Sequence, residues 1–183
     1  MSLSAEQARA VLLAYQQVMD ASWPALHPEM KARALDWPSA TAEVLERELQ
    51  GYVKAASAPE CSVRVFWKMT PGFKFGGCND HFARDGGTTA AELIGRDDFD
   101  RRLPWVHQAA KYRADDEAVV KCGRPKLNMV ERQHASTGAI TWVRVGKAPI
   151  RTASGVIGVL GMYEVLDAET GRKAFAEQSR RHR

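Results

Sequence analysis

Only three of the 183 residues are cysteines, and no apolar run approaches the length, about 18 residues, that a membrane span needs. No membrane span is therefore expected. The opening segment, MSLSAEQARA, lacks the apolar stretch of a signal peptide. Cys61, Cys78 and Cys122 form an odd set without paired spacing, which excludes a disulfide framework and implies reduced thiols in a cytoplasmic protein. A Gly-rich phosphate loop, a Ser–His–Asp order and a metal-protease motif are also missing, so the chain is not expected to be an enzyme. Nor is there a dense field of one charge. The formal net charge is +4, but the basic residues are scattered and only SRRHR (Ser179–Arg183) is a cluster. That is too short for a nucleic-acid footprint, and no nucleic-acid partner is expected.

What is present suffices for a core: 45% of the residues are hydrophobic and 26% charged. Ser4 and Gln7 fit a capping box at the start of an amphipathic helix to about Ala21, with Val11, Leu12, Tyr15, Val18 and Met19 on one stripe. The Trp23-Pro24 to Trp37-Pro38 region allows a short helix at Pro28–Leu35. Ser39 or Thr41 caps a further helix to Ala56, striped with Val44, Leu45, Leu49, Tyr52 and Val53. Both stripes need partners, either the following domain or the same helices of a second chain. Sustained heptads are missing, which disfavours a coiled coil.

From Ser62 the period becomes two: Val63, Val65 and Trp67 alternate with Arg64, Phe66 and Lys68. Pro71-Gly72 turns into a second strand, FKFGG, after which Asn79 caps a short helix. Thr89 and Glu92 make a second capping box. A longer helical stretch begins at Pro104; the charge at Asp116 interrupts its apolar face, predicting a break near Asp115–Asp116 before Gly123 ends it. Three strands follow, Lys126–His134, Ala139–Ile150 and Val156–Glu164, with turns at Ser136-Thr137-Gly138 and Ser154-Gly155. Residues 168–183 read as a charged exit helix or frayed tail.

This order, and the runs GCNDHFA, AELIGRDDFD, PWVHQAAKYRADDEAVV, GRPKL, GAITWVRVGKAPI and GVIGVLGMYE, resemble a PAS domain of the bacterial sensory-box type over about Val63 to Lys173. The resemblance implies an α+β fold: a five-stranded antiparallel sheet with helices over one face, here residues 61–167, preceded by a helical extension at 1–60. It implies a sensory or relay function: a small-molecule ligand, or dimerisation, sets a state passed to a downstream effector such as the histidine kinase of a two-component system or a diguanylate cyclase. A homodimer is the natural expectation from the N-terminal stripes. The exit departs from the family pattern, since the usual Asp-Ile-Thr is either lost or stretched to Asp167-Ala168-Glu169-Thr170. Gly171 is a poor helix former there.

Within that frame His107 is the candidate haem ligand and Trp105, Tyr112, Met129, Trp142 and Met162 are candidate pocket walls. Each has a plainer reading as a surface or core residue, and no cofactor, haem or flavin, is assigned. Cys78 and His81 make half a zinc site without a second pair, so no metal is expected. The context of Cys78 also differs from the Asn-Cys-Arg-Phe of flavin photoreceptors. The doublets Asp97-Asp98 and Asp115-Asp116 are read as solvated or capping charges. Two alternatives remain: a ligand-free interaction module, and a small cavity enzyme using those carboxylates.

Overall fold

The computed structural model describes residues 2–134 and 137–182, so Ser136 of the expected turn and Arg183 of the basic cluster lie outside the described residues. Helix α1 (Ala5–Ser22) starts at the expected capping box, in which the Ser4 hydroxyl accepts from the Gln7 N–H and the Gln7 side chain from the Ser4 N–H. Helix α2 (Met30–Arg33) runs into a 3-10 segment, Ala34–Ser39, and Thr41 caps α3 (Ala42–Ala55). Val11, Leu12, Tyr15 and Val18 of α1 pack with Leu45, Leu49 and Tyr52 of α3. The same core continues into Val65, Trp67, Ala148, Ile150, Leu160 and Met162 of the sheet. The stripes that suggested a homodimer thus find their partner inside the chain.

The sheet comprises β1 (Arg64–Met69), β2 (Lys74–Cys78), β3 (Lys126–His134), β4 (Ile140–Thr152) and β5 (Gly155–Leu166) in the antiparallel order β2-β1-β5-β4-β3. Alternation divides its faces: Val65 and Trp67 enter the core with α1, whereas Phe66 and Lys68 point to the other side. That second face carries α4 (Asp80–Asp85), α5 (Ala90–Leu93) and α6 (Ala109–Cys122). Asn79 and Thr89 cap α4 and α5 as expected. The longer helical stretch does not break at Asp115–Asp116. A 3-10 turn, Val106–Gln108, precedes α6, which is continuous through both aspartates until Gly123 closes it at φ 62°. The charge at Asp116 does not interrupt the helix because it is paired inside the fold.

The exit is neither frayed nor solvated on all sides. Asp167 is the N-cap of α7 (Ala168–Arg181) and accepts from the Thr170 N–H at 2.9 Å, so the departure from the family motif is a helix cap. Helix α7 turns back over β3 and β4, with the Phe175 and Trp142 ring centroids 5.4 Å apart. Gln178 accepts from the Val130 N–H at 2.9 Å and donates to the Val130 carbonyl at 3.1 Å, covering backbone groups of the edge strand. Gly171 is needed for the approach, since a Cβ there would lie 2.2 Å from the Trp142 Cβ. Gly171→Ala gains about 1 kcal/mol of helix propensity but overpacks a contact that cannot rotate away, at about 1–3 kcal/mol. The expected result is net loss of stability with faster amide exchange along α7 and at Val130. A more stable variant with unchanged exchange would contradict the close docking.

Candidate functional site

A cavity of about 370 Å³ lies between the second face of the sheet and the helical segments. This is within the size range of small-molecule sites. The strands contribute Phe66, Lys68, Val145, Lys147 and Tyr163; the helical side contributes Phe82, Trp105 and Tyr112. Phe66 stacks on Phe82 at 4.6 Å between centroids, and Phe82 meets Trp105 at 5.3 Å. Aromatic rings thus form one part of a wall that also carries Arg64, Asp85, Gln108, Glu131, Gln133 and Thr141.

One end of the cavity is ionic. Lys68 donates to Asp98 at 2.5 Å and to Asp116 at 2.7 Å, and Lys147 donates to the other Asp116 oxygen at 2.6 Å. The Trp105 indole N–H donates to Asp98 at 3.2 Å. All four charged residues are buried: Lys68 is 2% exposed, Asp98 2%, Asp116 0% and Lys147 8%. The Lys68 ammonium also lies 5.3 Å from the Phe66 and Phe75 ring centroids. Burial alone would raise the Asp116 pKa, but Lys147 and Lys68 outweigh it and hold the carboxyl below its ordinary value. Burial works against the Lys147 ammonium, and Asp116 reverses this, raising its pKa.

The other end is latched by Asp85 at the C-terminus of α4. Arg64 grips it through two nitrogens at 2.9 and 3.2 Å, and the Tyr163 hydroxyl donates at 2.6 Å. Burial and then Asp85 push the Tyr163 phenol well above its usual pKa.

Each acidic doublet sends one carboxylate inward and one outward. Asp97 pairs with Lys74 at 2.7 Å and Asp115 with Lys126 at 3.6 Å, both towards the surface. Reading both doublets as solvated or capping charge is thus corrected for Asp98 and Asp116, which the two strand lysines draw inside. The lysines themselves were not singled out from the sequence, although the alternation placed Lys68 on the face of Phe66.

Of the residues singled out, Trp105, His107 and Tyr112 line the cavity. His107 is exposed, with Nδ1 3.1 Å from the Pro104 carbonyl oxygen. Met129 is half-buried and is not among the walls. Trp142 stands on the opposite face against α7, and Met162 is buried with α1, because both occupy the outward parity of their strands. Cys78 also lies off the cavity, in a cluster with Phe66, Phe75 and Phe82. Burial, and secondarily Asp80, pushes its thiol up to about 12. Among the described residues no group of three His, Cys, Asp or Glu could hold a metal ion, and no helix is long and apolar enough to cross a membrane.

No protein-family model and no curated protein matches the chain. Solved structures do. An RNA-binding light-oxygen-voltage receptor aligns with 79% of this chain and 39% of its own, at 21% identity and a TM-score of 0.52. A phage VqmA–DPO complex aligns with 75% of this chain and 60% of its own, at 21% identity and 0.51. A Vibrio cholerae VqmA–ligand–DNA complex aligns with 55% and 46%, at 22% identity and 0.47. Other PAS and LOV domain structures also match. The chain therefore has the PAS fold, and it spans from 39% to 60% of the length of these three structures. The match to the RNA-binding receptor corrects the expectation of no nucleic-acid partner, because a protein that shares this fold is one that binds RNA. Scattered charge in one folded unit was no ground for that exclusion.

Proposed function

We propose that this PAS unit is a non-enzymatic sensor whose cavity takes up a small molecule and whose state is read out through α7. The carrying observation is the buried Asp98–Lys68–Asp116–Lys147 chain, of which Lys68, Asp98 and Lys147 line the cavity beside Phe66, Phe82, Trp105 and Tyr112. Buried ion pairs are often no more stabilising than apolar side chains of the same volume, so a buried ionic chain that lines an open volume through Lys68, Asp98 and Lys147 favours recognition over architecture. The same lysines neutralise Asp98 and Asp116, which disfavours the acid–base pair that a cavity enzyme would need. Strands β4 and β5 carry Lys147 and Tyr163 on one face and support α1 and α7 on the other. A shift in the cavity therefore has a short route to the helices behind the sheet.

The VqmA–DPO complex supports a ligand in a unit of this shape. The RNA-binding receptor supports a nucleic-acid-binding output over the kinase or cyclase outputs that the family resemblance implied.

The test is hydrogen exchange of the protein with and without a small-molecule cell extract, followed by mass spectrometry of whatever is retained. Retention of a compound, with slower exchange in α4–α6 and altered exchange in α7, is expected. A protein that retains nothing and exchanges identically in both conditions would leave the ligand-free interaction module as the better account.

A further inference from the structure

We propose that His27 is an acid-released latch: when its ring gains a proton, the strap of residues 23–41 leaves α1 and α3, giving the protein a pH input separate from the cavity.

The strap joins α1 to α3 and lies against both. Its apolar anchors are Met30 and Trp37, buried in the core that α1 and α3 share with the sheet. Two of its polar ties use groups that keep their charge at every pH near neutral. Arg9 of α1 donates to the Trp37 carbonyl at 2.8 Å, and Arg33 pairs with Glu48 of α3 at 3.2 Å. The third tie can titrate. His27 is 3% exposed, and its Nε2 lies 2.8 Å from the hydroxyl of Tyr15 on α1, which is 0% exposed.

The proton count makes this bond depend on a neutral ring. Burial pushes the Tyr15 phenol up, so the hydroxyl keeps its hydrogen. Among the described residues its one hydrogen-bond partner is His27, so Tyr15 donates and Nε2 accepts. A protonated ring carries a hydrogen on both nitrogens. Nε2 can then only donate, and the Tyr15 O–H is left buried without an acceptor.

The surroundings offer the new charge little. From α3, the Tyr52 ring centroid is 4.9 Å from that of His27, and the Tyr15 centroid is 5.5 Å away. Glu48 of α3 is already taken by Arg33 and by the Tyr52 hydroxyl at 3.1 Å. The Cys61 thiol stands beside Tyr15. Glu29 of the strap favours the charged ring, but burial outweighs it and lowers the His27 pKa. With a folded-state pKa below the unfolded value of about 6.5, His27 contributes its stability fully above that value. The contribution is lost as the pH falls through 6.5 towards the folded value. Release uncovers Met30, Trp37 and the stripe of α1 and α3 beneath them, in the same core that reaches Ala148 and Ile150 of β4.

The experiment is amide exchange of the whole protein at pH ~7.5 and ~5.5, expressed as protection factors so that the intrinsic pH dependence cancels. The reporters are the Met30, Arg33 and Ala40 N–H groups, which donate to the His27, Glu29 and Trp37 carbonyls. Their protection should fall by up to about tenfold on acidification, the ratio set by an unfolded histidine pKa of about 6.5. Amides of β1 and β5 should not change. His27→Gln places a neutral acceptor near the position of Nε2, and its strap protection should be the same at both pH values. Unchanged wild-type protection, a fall of equal size in the sheet, or the same fall in His27→Gln would overturn the proposal. If the strap of His27→Gln is undocked at both pH values, an NMR titration of the wild-type His27 ring decides. An apparent pKa below about 6.5 supports the latch, and one at or above it overturns the latch.

Discussion

Asp116→Ala is expected to destabilise the protein by about 3–5 kcal/mol, the cost of breaking a buried ion pair by removing one partner. The substitution removes the carboxylate that Lys147 pairs with and leaves Lys68 with Asp98 alone. Asp116→Asn keeps the shape and one acceptor oxygen and is expected to fall between Ala and wild type. Asp116→Leu/Lys147→Met should lie close to the wild type or above it, because it removes charge and counter-charge together. Urea unfolding at neutral pH measures all three. A double variant as unstable as Asp116→Ala would mean that the ions hold the fold together and are not kept for recognition.

The acid branch adds a sign. The folded-state pKa of Asp116 is below its ordinary value, so its contribution is fully present above the unfolded carboxylate pKa, about 3.9. It is lost progressively as the pH falls below that value, towards the folded one. Asp116→Asn should therefore lose less stability than wild type between neutral pH and pH ~3. Equal acid losses in the two proteins would contradict the pairing.

How legible this arrangement was differs from element to element. The capping boxes at Ser4–Gln7 and Thr89–Glu92, the Asn79 cap and the alternation through Val63–Lys68 were readable because each depends on neighbours within a few residues. The same is true of Gly123, where only a left-handed residue ends α6 comfortably. The ionic chain was not readable in this way. Lys68 and Asp116 are 48 positions apart, and buried charges run against the ordinary sorting of lysine and aspartate to the surface. Only their combination reverses the penalty that each faces alone. The partner of the α1 stripe was hidden for a related reason: periodicity reveals an apolar face but not what covers it. Met162 and Trp142 went to the wrong side of the sheet because aromatic and sulfur-bearing residues were pooled as pocket walls, when strand parity separates them from Lys147 and Tyr163.

Asn79 is the place where the extension, the sheet and the first cavity helix are tied together, and Asn79→Ala is expected to cost about 3–5 kcal/mol. Its side chain is 0% exposed and every hydrogen-bonding group on it is used. The carbonyl oxygen accepts from the Val65 N–H at 3.0 Å and the Phe82 N–H at 3.2 Å, and the amide donates to the Ala56 and Val63 carbonyls at 3.0 and 2.8 Å. The cap to Phe82 is a local bond worth about 1 kcal/mol, and serine at this position should restore only that part. The rest comes from buried backbone groups left without a partner, each costing about 1–3 kcal/mol with incomplete additivity. Asn79→Asp is the discriminating change. It keeps both acceptor bonds and the cap, but aims a carboxylate at two carbonyl oxygens and loses both donor bonds. It should therefore be at least as unstable as Asn79→Ser, although aspartate is an equally good N-cap on an isolated helix. Urea midpoints with unchanged m-values for the three variants would establish that order. Asn79→Asp within about 1 kcal/mol of wild type would show the donor bonds to Ala56 and Val63 to be dispensable. The apolar core shared by α1, α3 and the sheet would then be the main hold on the extension.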